Sequence, residues 1–353
     1  MLYFEPLIES DRYLWDDFVK SHANGCFMQS WAWANFRELE GYKTFRYGLF
    51  SRQLSEESSP LSSSLSHAEV KNLVGGCILH LYAQRSQSSL LIATGGPLFL
   101  PEFAASGMEL FLKLAEQLTE SYGAIAVRIE PLWSEKPAWF PKNFVRSPAD
   151  LMPKETLLID LQPTSDQMLA AMKPKGRYNL RLSQRHGVKT EFTKDEQAIA
   201  LFYNLFCETV ERQEFYGEPF GFFINLCQTL FRENMAEIGL AQWQGEVLTA
   251  ILVIYWGDRC TYLYGGRTDK NSQVMSSYAL HWAAMQRAKQ RGCKVYDFYG
   301  YSSDPNHNYA KFSQFKRQFG GTVANTIGAQ DYFFYDRLAD TIIGLLNKLE
   351  TLE

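Results

Sequence analysis

Residues 236–266 read AEIGLAQWQGEVLTAILVIYWGDRCTYLYGG, and three apolar runs in this stretch are separated only by short turns. The runs are Ala236–Trp243, Val247–Trp256 and Arg259–Gly265. Glycine marks both connections, at Gly245 and at Gly257-Asp258, and such residues are typical of tight turns between strands. The stretch therefore predicts three consecutive antiparallel strands, a β-meander.

The elements on either side of this meander suggest a unit that occurs twice in the chain. A helix at Ser276–Arg291 and a strand at Val295–Tyr299 follow the meander. Before it we predict a strand at Thr156–Leu161, helices at 165–172 and 176–186, a strand at Val188–Phe192, and helices at 195–213 and 220–234. In the first half we predict helices at 11–20, 29–40 and 107–121, and strands at 43–50, 73–82 and Ala124–Ile129. Both halves thus share the order helices, antiparallel meander, helix, strand.

This order is that of the N-acetyltransferase (GNAT) superfamily. We therefore expect an α+β protein of two GNAT-like domains, each a mixed, largely antiparallel sheet flanked by helices. The first domain is predicted over 1–150 and contains a Ser-rich loop at 51–66. The second is predicted over 151–353, carries most of the substrate site, and ends in a helix at 332–350.

Composition excludes some classes of protein. Of the 353 residues, 46% are hydrophobic and 21% are charged, which is typical of a folded globular protein and not of a disordered chain. The 35 Lys and Arg against 39 Asp and Glu give a net charge of −4, so a chain coated in basic charge for nucleic-acid binding is disfavoured. A local basic patch stays possible.

The cysteines and the N-terminus bear on the compartment. The six Cys are far apart without a C-x-x-C pair, so we expect reduced thiols and no metal site. No signal peptide and no membrane-spanning run is recognised, which predicts a cytoplasmic protein. Residues 332–349 carry an amphipathic stripe that either docks on the protein itself or touches the inner face of a membrane.

A basic run precedes the meander. It contains Lys173, Lys175, Arg177, Arg181, Arg185 and Lys189, with no acidic residue from Gln167 to Thr190. On a helix, Arg177, Arg181 and Arg185 share one face, where like charges repel. The run is either a phosphate or diphosphate site with forked arginine contacts, or a solvated basic face.

A second candidate lies near the C-terminus, where Phe315-Lys316-Arg317-Gln318-Phe319 ends at Gly320-Gly321. A lysine held among aromatic residues is partly dehydrated, which strengthens its field at a developing oxyanion. The alternative is a helix with Phe315 and Phe319 in the core and Lys316 in water.

Three further groups have a functional and a structural interpretation. Asp297 and the loop from Tyr301 to 310 follow a predicted strand and either contact substrate or fix the turn. Tyr262 and Tyr264 point to one side of a regular strand, and they line a cleft or fill a core. Gln29 and Trp31 stand at a helix start, where Gln29 meets a ligand or only backbone.

One motif is missing. Enzymes of the GNAT superfamily that use acetyl-CoA hold its pyrophosphate with [R/Q]-x-x-G-x-[G/A] at a helix start. The nearest match here runs from Arg317 to Thr322, and Thr322 replaces the small last residue. Ordinary use of CoA is therefore disfavoured.

Taken in order, these pieces resemble the Fem family of peptidyltransferases over nearly the whole chain. The resemblance rests on Phe27-Met-Gln29-Ser30-Trp31-Ala-Trp33, Gly95-Gly96-Pro97, Val127-Arg128-Ile129-Glu130-Pro131, Lys175-Gly-Arg177-Tyr178-Asn179-Leu-Arg181, Tyr262-Leu-Tyr264-Gly265-Gly266, His281-Trp282, Tyr296-Asp297-Phe298-Tyr-Gly300 and Phe315-Lys316-Arg317-Gln-Phe319-Gly320-Gly321. Two departures stand out. Residues 195–234 are too short for the helical arm of some members, and Arg37 replaces a lysine that is common there.

The resemblance implies an enzyme that moves an amino acid from aminoacyl-tRNA to an amine of a peptidoglycan precursor. The acceptor would be UDP-N-acetylmuramoyl-pentapeptide or its lipid-linked counterpart, and no metal or other cofactor is implied. Lys316 would stabilise the transition state and Phe315 would position it. Arg177 and Arg181 would grip the diphosphate, and Tyr262 or Tyr264 would line the peptide channel. Glu130 matches a position that is often acidic.

Two other functions fit the same residues. The first is a GNAT-like N-acyltransferase with a CoA or carrier donor, which would modify a polysaccharide, lipid or small amine. The second is a module without catalytic activity that binds a cell-wall precursor through Arg177 and Arg181.

Overall fold

The computed structural model describes residues 1–53, 70–83 and 89–334. The chain divides into two compact units. Among the described residues, the first unit comprises those from Met1 to Leu151 and from Ile327 to Phe334, and the second comprises Met152–Thr326. All residues of the second unit are described.

The first unit is built on a mixed sheet. In chain order its elements are β1 (Leu2–Pro6), α1 (Arg12–Ser21), α2 (Trp31–Leu39), β2 (Lys43–Gln53), β3 (Val70–Ala83), β4 (Ser89–Thr94), β5 (Leu98–Phe99), α3 (Ala104–Tyr122), β6 (Ala124–Glu130), β7 (Val145–Arg146) and, after the second unit, β15 (Gln330–Phe333). Over the described residues the strand order is β1-β2-β3-β4-β6-β15-β7, with β5 paired to β3. Of these pairs, β4–β6 is parallel and the others are antiparallel.

Helix α3 covers this sheet because its apolar residues recur on one face. Met108, Phe111, Ala115 and Leu118 are buried along it at helical spacing. The helix ends at Gly123, whose φ of 65° is a left-handed conformation that favours glycine. A Cβ there would meet no atom within 4 Å, so the backbone angle alone accounts for this glycine.

The second unit has a second mixed sheet with helices on both faces. Its elements are β8 (Glu155–Asp160), α4 (Ser165–Ala171), α5 (Pro174–Arg185), β9 (Lys189–Thr193), α6 (Glu196–Gln213), α7 (Phe220–Arg232), β10 (Ala236–Trp243), β11 (Glu246–Trp256), β12 (Arg259–Arg267), α8 (Ser276–Gln290), β13 (Val295–Asp297), α9 (Ala310–Lys316) and β14 (Thr322–Asn325). The strand order across residues 152–326, all of them described, is β14-β8-β13-β12-β11-β10-β9. The predicted meander is confirmed as β10, β11 and β12.

The main core of this unit lies between the sheet and helices α4, α5 and α8. Leu280, Ala284 and Ala288 of α8 are fully buried at intervals of four residues. They pack with Ile251, Val253 and other residues of one sheet face. Helices α6 and α7 pack with each other through an aromatic contact between Phe202 and Phe223, at 5.2 Å.

Several predicted boundaries differ from the structure. The joint near 150 is close to the observed one, but the chain leaves the second unit at Ile327, and β15 joins the sheet of the first unit instead of the second. The predicted helix at 332–350 is wrong at Tyr332 and Phe333, which are strand, and its part beyond 334 lies outside the described residues. β2 extends to Gln53, so the predicted loop at 51–66 is wrong at residues 51–53, and residues 54–66 lie outside the described residues.

The remaining general predictions concern thiols and membranes. All six cysteines are free, and five of them are buried. Within the three described ranges, no helix combines the length and the apolar character needed to cross a bilayer.

Candidate active site

Lys316 is the last residue of α9 and is buried, with 7% of its surface exposed. Its Nζ donates hydrogen bonds to the backbone carbonyl oxygens of Tyr299 and Gly300, the latter at 2.7 Å. Both acceptors are uncharged, so among the described residues the ammonium group is bonded to dipoles and to no carboxylate. The alternative that placed Lys316 in water is wrong, whereas Phe319 is buried as that alternative expected.

The two carbonyls converge on Lys316 because the chain bends sharply after β13. Tyr299 and Gly300 both have φ of 46°, in the left-handed region that a tyrosine rarely adopts. Asp297 fixes this bend, since its Oδ1 accepts a hydrogen bond from the Tyr299 N–H at 2.8 Å. The bend therefore turns two successive carbonyls toward one cation.

Asp297 is itself held from two sides. It is buried, it accepts hydrogen bonds from the Thr156 hydroxyl and from Arg259 Nη1, the latter at 3.0 Å, and it forms an ion pair with that guanidinium. A buried carboxylate needs such partners because an unpaired charge is costly away from water. These contacts support the structural interpretation of Asp297. Asp297 lies in the same bend as Tyr299 and Gly300, whose carbonyls bind Lys316.

Aromatic side chains surround the lysine. The Lys316 Nζ lies 5.4 Å from the centre of the Tyr262 ring, within the range of a cation–π contact. The Tyr262 ring lies against His281, with 4.6 Å between ring centres, and His281 lies 5.4 Å from Phe315. The His281 Nδ1 and the Tyr296 hydroxyl share a hydrogen bond of 2.9 Å. Phe315, predicted to position the acyl group, is thus part of the wall beside Lys316.

Burial changes the pKa of each ionisable group in this wall. It lowers the pKa of Lys316 to about 7, and the charge of Asp297 opposes this shift. Burial, aided by the charge of Lys316, lowers the pKa of His281 to about 3, so the imidazole is neutral at physiological pH. Burial raises the pKa of Tyr262 to about 12. Lys316 is therefore the group of this wall whose charge changes near neutral pH.

Tyr262 and Tyr264 do not point to the same side, and our prediction that they do is wrong. In the pairing of β11 with β12, Leu252 faces Tyr264 while Val253 faces Tyr262, so Leu263 is an extra residue. Such a bulge reverses the alternation of side chains. Tyr262 consequently reaches His281, while the Tyr264 ring packs against Phe223 of α7 at 5.1 Å.

Gly265 and Gly266, which follow Tyr264 in β12, make room for packing on both faces of the strand. A Cβ on Gly265 would lie 2.3 Å from the Tyr262 hydroxyl, so glycine leaves room for that side chain beside the strand. A Cβ on Gly266 would lie 2.3 Å from the backbone of Leu205, so glycine lets α6 approach the sheet closely. The Tyr-x-Tyr-Gly-Gly motif is thereby explained as packing on opposite faces of β12.

The predicted basic helix is observed as α5, but it begins at Pro174. Gly176 therefore lies inside its first turn, where a Cβ would be 2.3 Å from the carbonyl oxygen of Gln318. The Lys173 N–H donates a hydrogen bond of 3.0 Å to that same oxygen. The start of α5 is thus held against the turn that directly follows Lys316.

The arginines of α5 differ in their surroundings. Arg177 is half-buried, and its Nη1 donates hydrogen bonds to the carbonyl oxygens of Ala170, at 3.1 Å, and of Met172. It caps the end of α4 instead of projecting freely. Arg181 and Arg185 are exposed. Of the two residues predicted to hold a diphosphate, Arg181 is therefore the one that solvent reaches most freely.

Tyr301 is buried and forms part of the same turn. Its hydroxyl accepts hydrogen bonds from Arg317 Nε, at 2.8 Å, and Arg317 Nη2. Its backbone bridges to Glu155 at the start of β8. These contacts favour a structural role for Tyr301, which fixes the residue next to Lys316 in sequence.

The near match to a CoA motif is also explained by packing. A Cβ on Gly320 would lie 2.6 Å from the Ala171 carbonyl oxygen, and one on Gly321 would lie 2.5 Å from that of Leu158. A strand, β14, begins at Thr322, the last residue of the motif, so no helix N-terminus is present at these described residues to receive a pyrophosphate. This arrangement disfavours a CoA donor at Arg317–Thr322.

The predicted residues of the first unit are engaged by their own unit. Gln29 is fully buried, and its amide donates to the carbonyl oxygens of Ile78 and Thr94 and accepts from the Ile78 N–H, at 2.7–3.0 Å. Trp31 is buried, and its Nε1 donates a 2.9 Å hydrogen bond to Glu9. Both sets of contacts favour the structural interpretation over contact with substrate.

Glu130 and Arg37 are likewise engaged. Glu130 is buried, and its Oε1 accepts a hydrogen bond of 2.7 Å from the Leu151 N–H. Arg37 donates a hydrogen bond of 2.8 Å to the Tyr82 hydroxyl and lies over the Tyr42 ring at 3.9 Å. The assignment of Glu130 to a functional role stays a prediction from the resemblance.

Comparisons with known proteins give the family. The sequence profile of the FemAB family matches residues 145–244 and 240–336. Two relatives are the lipid II:glycine glycyltransferases of Staphylococcus epidermidis and Staphylococcus aureus. Each is 20% identical to this chain; the former covers 90% of both chains, and the latter covers 93% of this chain and 92% of its own.

Solved structures agree on the fold. The crystal structure of FemX superposes with a TM-score of 0.78 at 17% identity, over 96% of this chain and 99% of that one. A tandem GNAT protein from the clavulanic acid biosynthesis pathway superposes with a TM-score of 0.50 at 12% identity, over 94% of this chain and 97% of that one. The predicted fold class, two GNAT-like units with mixed sheets flanked by helices, is confirmed.

Proposed function

Given that this chain belongs to the FemAB family and is an aminoacyltransferase that acts on a peptidoglycan precursor, we propose that it takes the amino acid from aminoacyl-tRNA. The acceptor is then an amine of the stem peptide. The proposal rests chiefly on one observation: a buried lysine, Lys316, held by two backbone carbonyls and walled by aromatic rings.

This geometry suits acyl transfer from an ester. The acceptor amine attacks the acyl carbon, a C–N bond forms, and negative charge develops on the carbonyl oxygen. A protonated Lys316 has three N–H groups, of which two bind the carbonyls of Tyr299 and Gly300. The third is available to that oxyanion, in surroundings where water screens the charge weakly.

Collapse of the intermediate breaks the ester C–O bond. The electron pair goes to the ribose oxygen of the donor, which takes up a proton from Lys316, and the proton that the amine loses returns to that lysine. Because the pKa of Lys316 is lowered to about 7, its ammonium is a competent proton donor to that oxygen at neutral pH. An ester is already activated, so positioning and one cation suffice without a covalent intermediate on the enzyme.

For the acceptor, we propose the lipid-linked precursor ahead of the nucleotide-linked one. Two relatives are named for lipid II, which supports this order. An enzyme acting on such a substrate works at the inner face of a membrane, which agrees with the alternative in which a cytoplasmic protein touches that face. No role is needed for a metal or other cofactor in the steps above.

The test is label transfer from radiolabelled aminoacyl-tRNA to lipid-linked and nucleotide-linked muramoyl-pentapeptide, with an RNase-treated donor as the blank. We expect RNase-sensitive transfer whose rate falls at least about 100-fold in Lys316→Ala, because removing one hydrogen-bond donor to an oxyanion typically has an effect of this size. Lys311→Ala is the matched control, because Lys311 is exposed on the same helix. Equal rates in both variants would refute the role of Lys316, and transfer from acyl-CoA alone would refute the donor.

A further inference from the structure

Five cations on and beside α5 are exposed to solvent. We name Lys173, Lys175, Arg181, Arg185 and Lys189 the α5 basic surface. None of the five side chains forms an ion pair with a residue in the described part of the chain. The sequence from Gln167 to Thr190 contains no Asp or Glu that could neutralise them. Arg181 and Arg185, one turn apart, repel each other and weaken the helix.

The extent of the surface indicates the kind of anion. α5 has 12 residues and is therefore about 18 Å long. A single diphosphate is much shorter than a helix about 18 Å long, so it would leave part of the surface unused. A chain of phosphates, with charges repeated along its length, matches cations that are repeated along a helix.

The composition of the surface separates a nucleic acid from a membrane. Tyr178 is 58% exposed among the cations, with the Arg185 guanidinium 5.9 Å from its ring centre. Exposed aromatic and basic side chains together are typical of surfaces that bind single-stranded nucleic acid, whose unpaired bases stack on the rings. The buried side of α5, represented by Leu180, faces the core, so the helix has no apolar face to insert into a bilayer.

The position of α5 connects this surface to Lys316. The Lys173 N–H is bonded to the carbonyl oxygen of Gln318, and Gly176 packs on that same oxygen. The helix thus starts against the residue two positions beyond the buried lysine and runs about 18 Å to Arg185. A donor whose acyl end reaches Lys316 would lay the adjoining part of its leaving group along the helix.

We propose that the α5 basic surface binds the sugar–phosphate backbone of the acceptor stem of the donor tRNA. This inference rests on the proposed aminoacyl-tRNA donor and adds the surface that holds it. It assigns Arg181 to the nucleic acid instead of to the diphosphate of the precursor. Arg177 is not included, because its guanidinium is bonded to Ala170 and Met172.

The test compares two double variants of equal charge. Arg181→Gln/Arg185→Gln removes two cations of the surface, and Arg232→Gln/Lys270→Gln removes two exposed cations elsewhere in the second unit. Binding of a tRNA acceptor-stem minihelix is measured by fluorescence anisotropy as a function of KCl concentration. We expect the first variant to bind about tenfold more weakly, with the slope of log K against log salt smaller by about 1.4–1.8, and the control to bind like wild type.

A second donor separates this inference from the proposed function. Transfer is measured from the minihelix and from an aminoacylated CCA trinucleotide that lacks the stem. The inference expects the first variant to lose transfer from the minihelix only. If the first variant keeps transfer from both donors and binds the minihelix like wild type, the inference is overturned while the proposed function stands. Absence of transfer from both donors in wild type would overturn the proposed function, and with it the inference.

The other polyanions are assayed with the same variants. If Arg181→Gln/Arg185→Gln loses binding to vesicles containing phosphatidylglycerol, or to UDP-N-acetylmuramoyl-pentapeptide, and keeps minihelix binding, the surface serves the membrane or the precursor and the inference is wrong.

Discussion

Gly176→Ala tests whether the contact between α5 and the turn after Lys316 places the lysine. The added Cβ would lie 2.3 Å from the Gln318 carbonyl oxygen, and real Cβ contacts essentially never fall below 3.0 Å. The helix and the turn must therefore separate by at least 3.0 − 2.3 = 0.7 Å. Both partners are backbone, so no flexible side chain can absorb the shift.

The size of the effect follows from that separation. Productive geometry is typically held within about 0.5 Å, and a misplacement of about 1 Å costs on the order of 100-fold in rate. We expect kcat for aminoacyl transfer to fall about 10–100-fold. Overpacking costs about 1–3 kcal/mol, and the better helix propensity of alanine returns about 0.5–1 kcal/mol. The net loss of unfolding free energy is then between about 0 and 2.5 kcal/mol.

The assay pairs single-turnover transfer with urea unfolding, and Gly221→Ala is the control. Gly221 is a helical residue of α7, and a Cβ there would meet no atom within 4 Å, so alanine keeps transfer unchanged and raises stability by up to about 1 kcal/mol. Wild-type kcat in Gly176→Ala, with or without a loss of stability, would refute the argument that this contact positions Lys316.

Three further predictions use the buried polar groups. The pKa of Lys316 in the folded state, about 7, lies below its value in the unfolded state, so the free energy of unfolding rises as pH increases from about 7 toward 10.5. Lys316→Met removes this pH dependence, and its stability exceeds that of wild type by the largest amount below pH 7. Denaturant midpoints measured across this pH range would show both effects. Asp297→Asn removes a charge that raises the pKa of Lys316, so the limb of the pH–rate profile controlled by that lysine moves to lower pH, and an unmoved limb would contradict the assignment. Gln29→Met leaves buried backbone groups of Ile78 and Thr94 without partners and costs about 2–4 kcal/mol in thermal unfolding, with transfer per folded molecule unchanged; a loss of transfer without a loss of stability would instead favour contact with substrate.

Local patterns in the sequence were sufficient to predict most elements. The meander from Ala236 to Arg267 and helix α8 were recognisable because apolar spacing and glycine turns act over a few residues. Lys316 was recognisable as a candidate, as a lysine among aromatic residues before two glycines, but the pattern left open whether it lies in the protein or in water, and its role came from the family resemblance. Its burial was not recognisable, because it depends on Tyr299 and Gly300, which the fold brings from 16–17 residues away.

Other features depend on contacts that no local pattern contains. The bulge at Leu263 separates Tyr262 from Tyr264, and the alternation expected of a regular strand does not reveal it. The hydrogen bonds that tie Arg177 to Ala170 and Met172 require the angle between α4 and α5. The supporting role of Asp297 was recognised only as tying down a turn, since the link from that turn to Lys316 is made by backbone carbonyls. The return of the chain to the first sheet at Gln330 is a long-range pairing that propensity cannot indicate.

The strand β15 also has a consequence for synthesis on the ribosome. It lies between β6 and β7 inside the first sheet, yet it is made about 200 residues after β6. The nascent first unit therefore cannot close its sheet until residues 330–333 have emerged, whereas the second unit is continuous in sequence and complete by Thr326. During translation, the edge of β6 that later pairs with β15 stays unpaired. The second unit, although it is made later than most of the first, can therefore finish folding first.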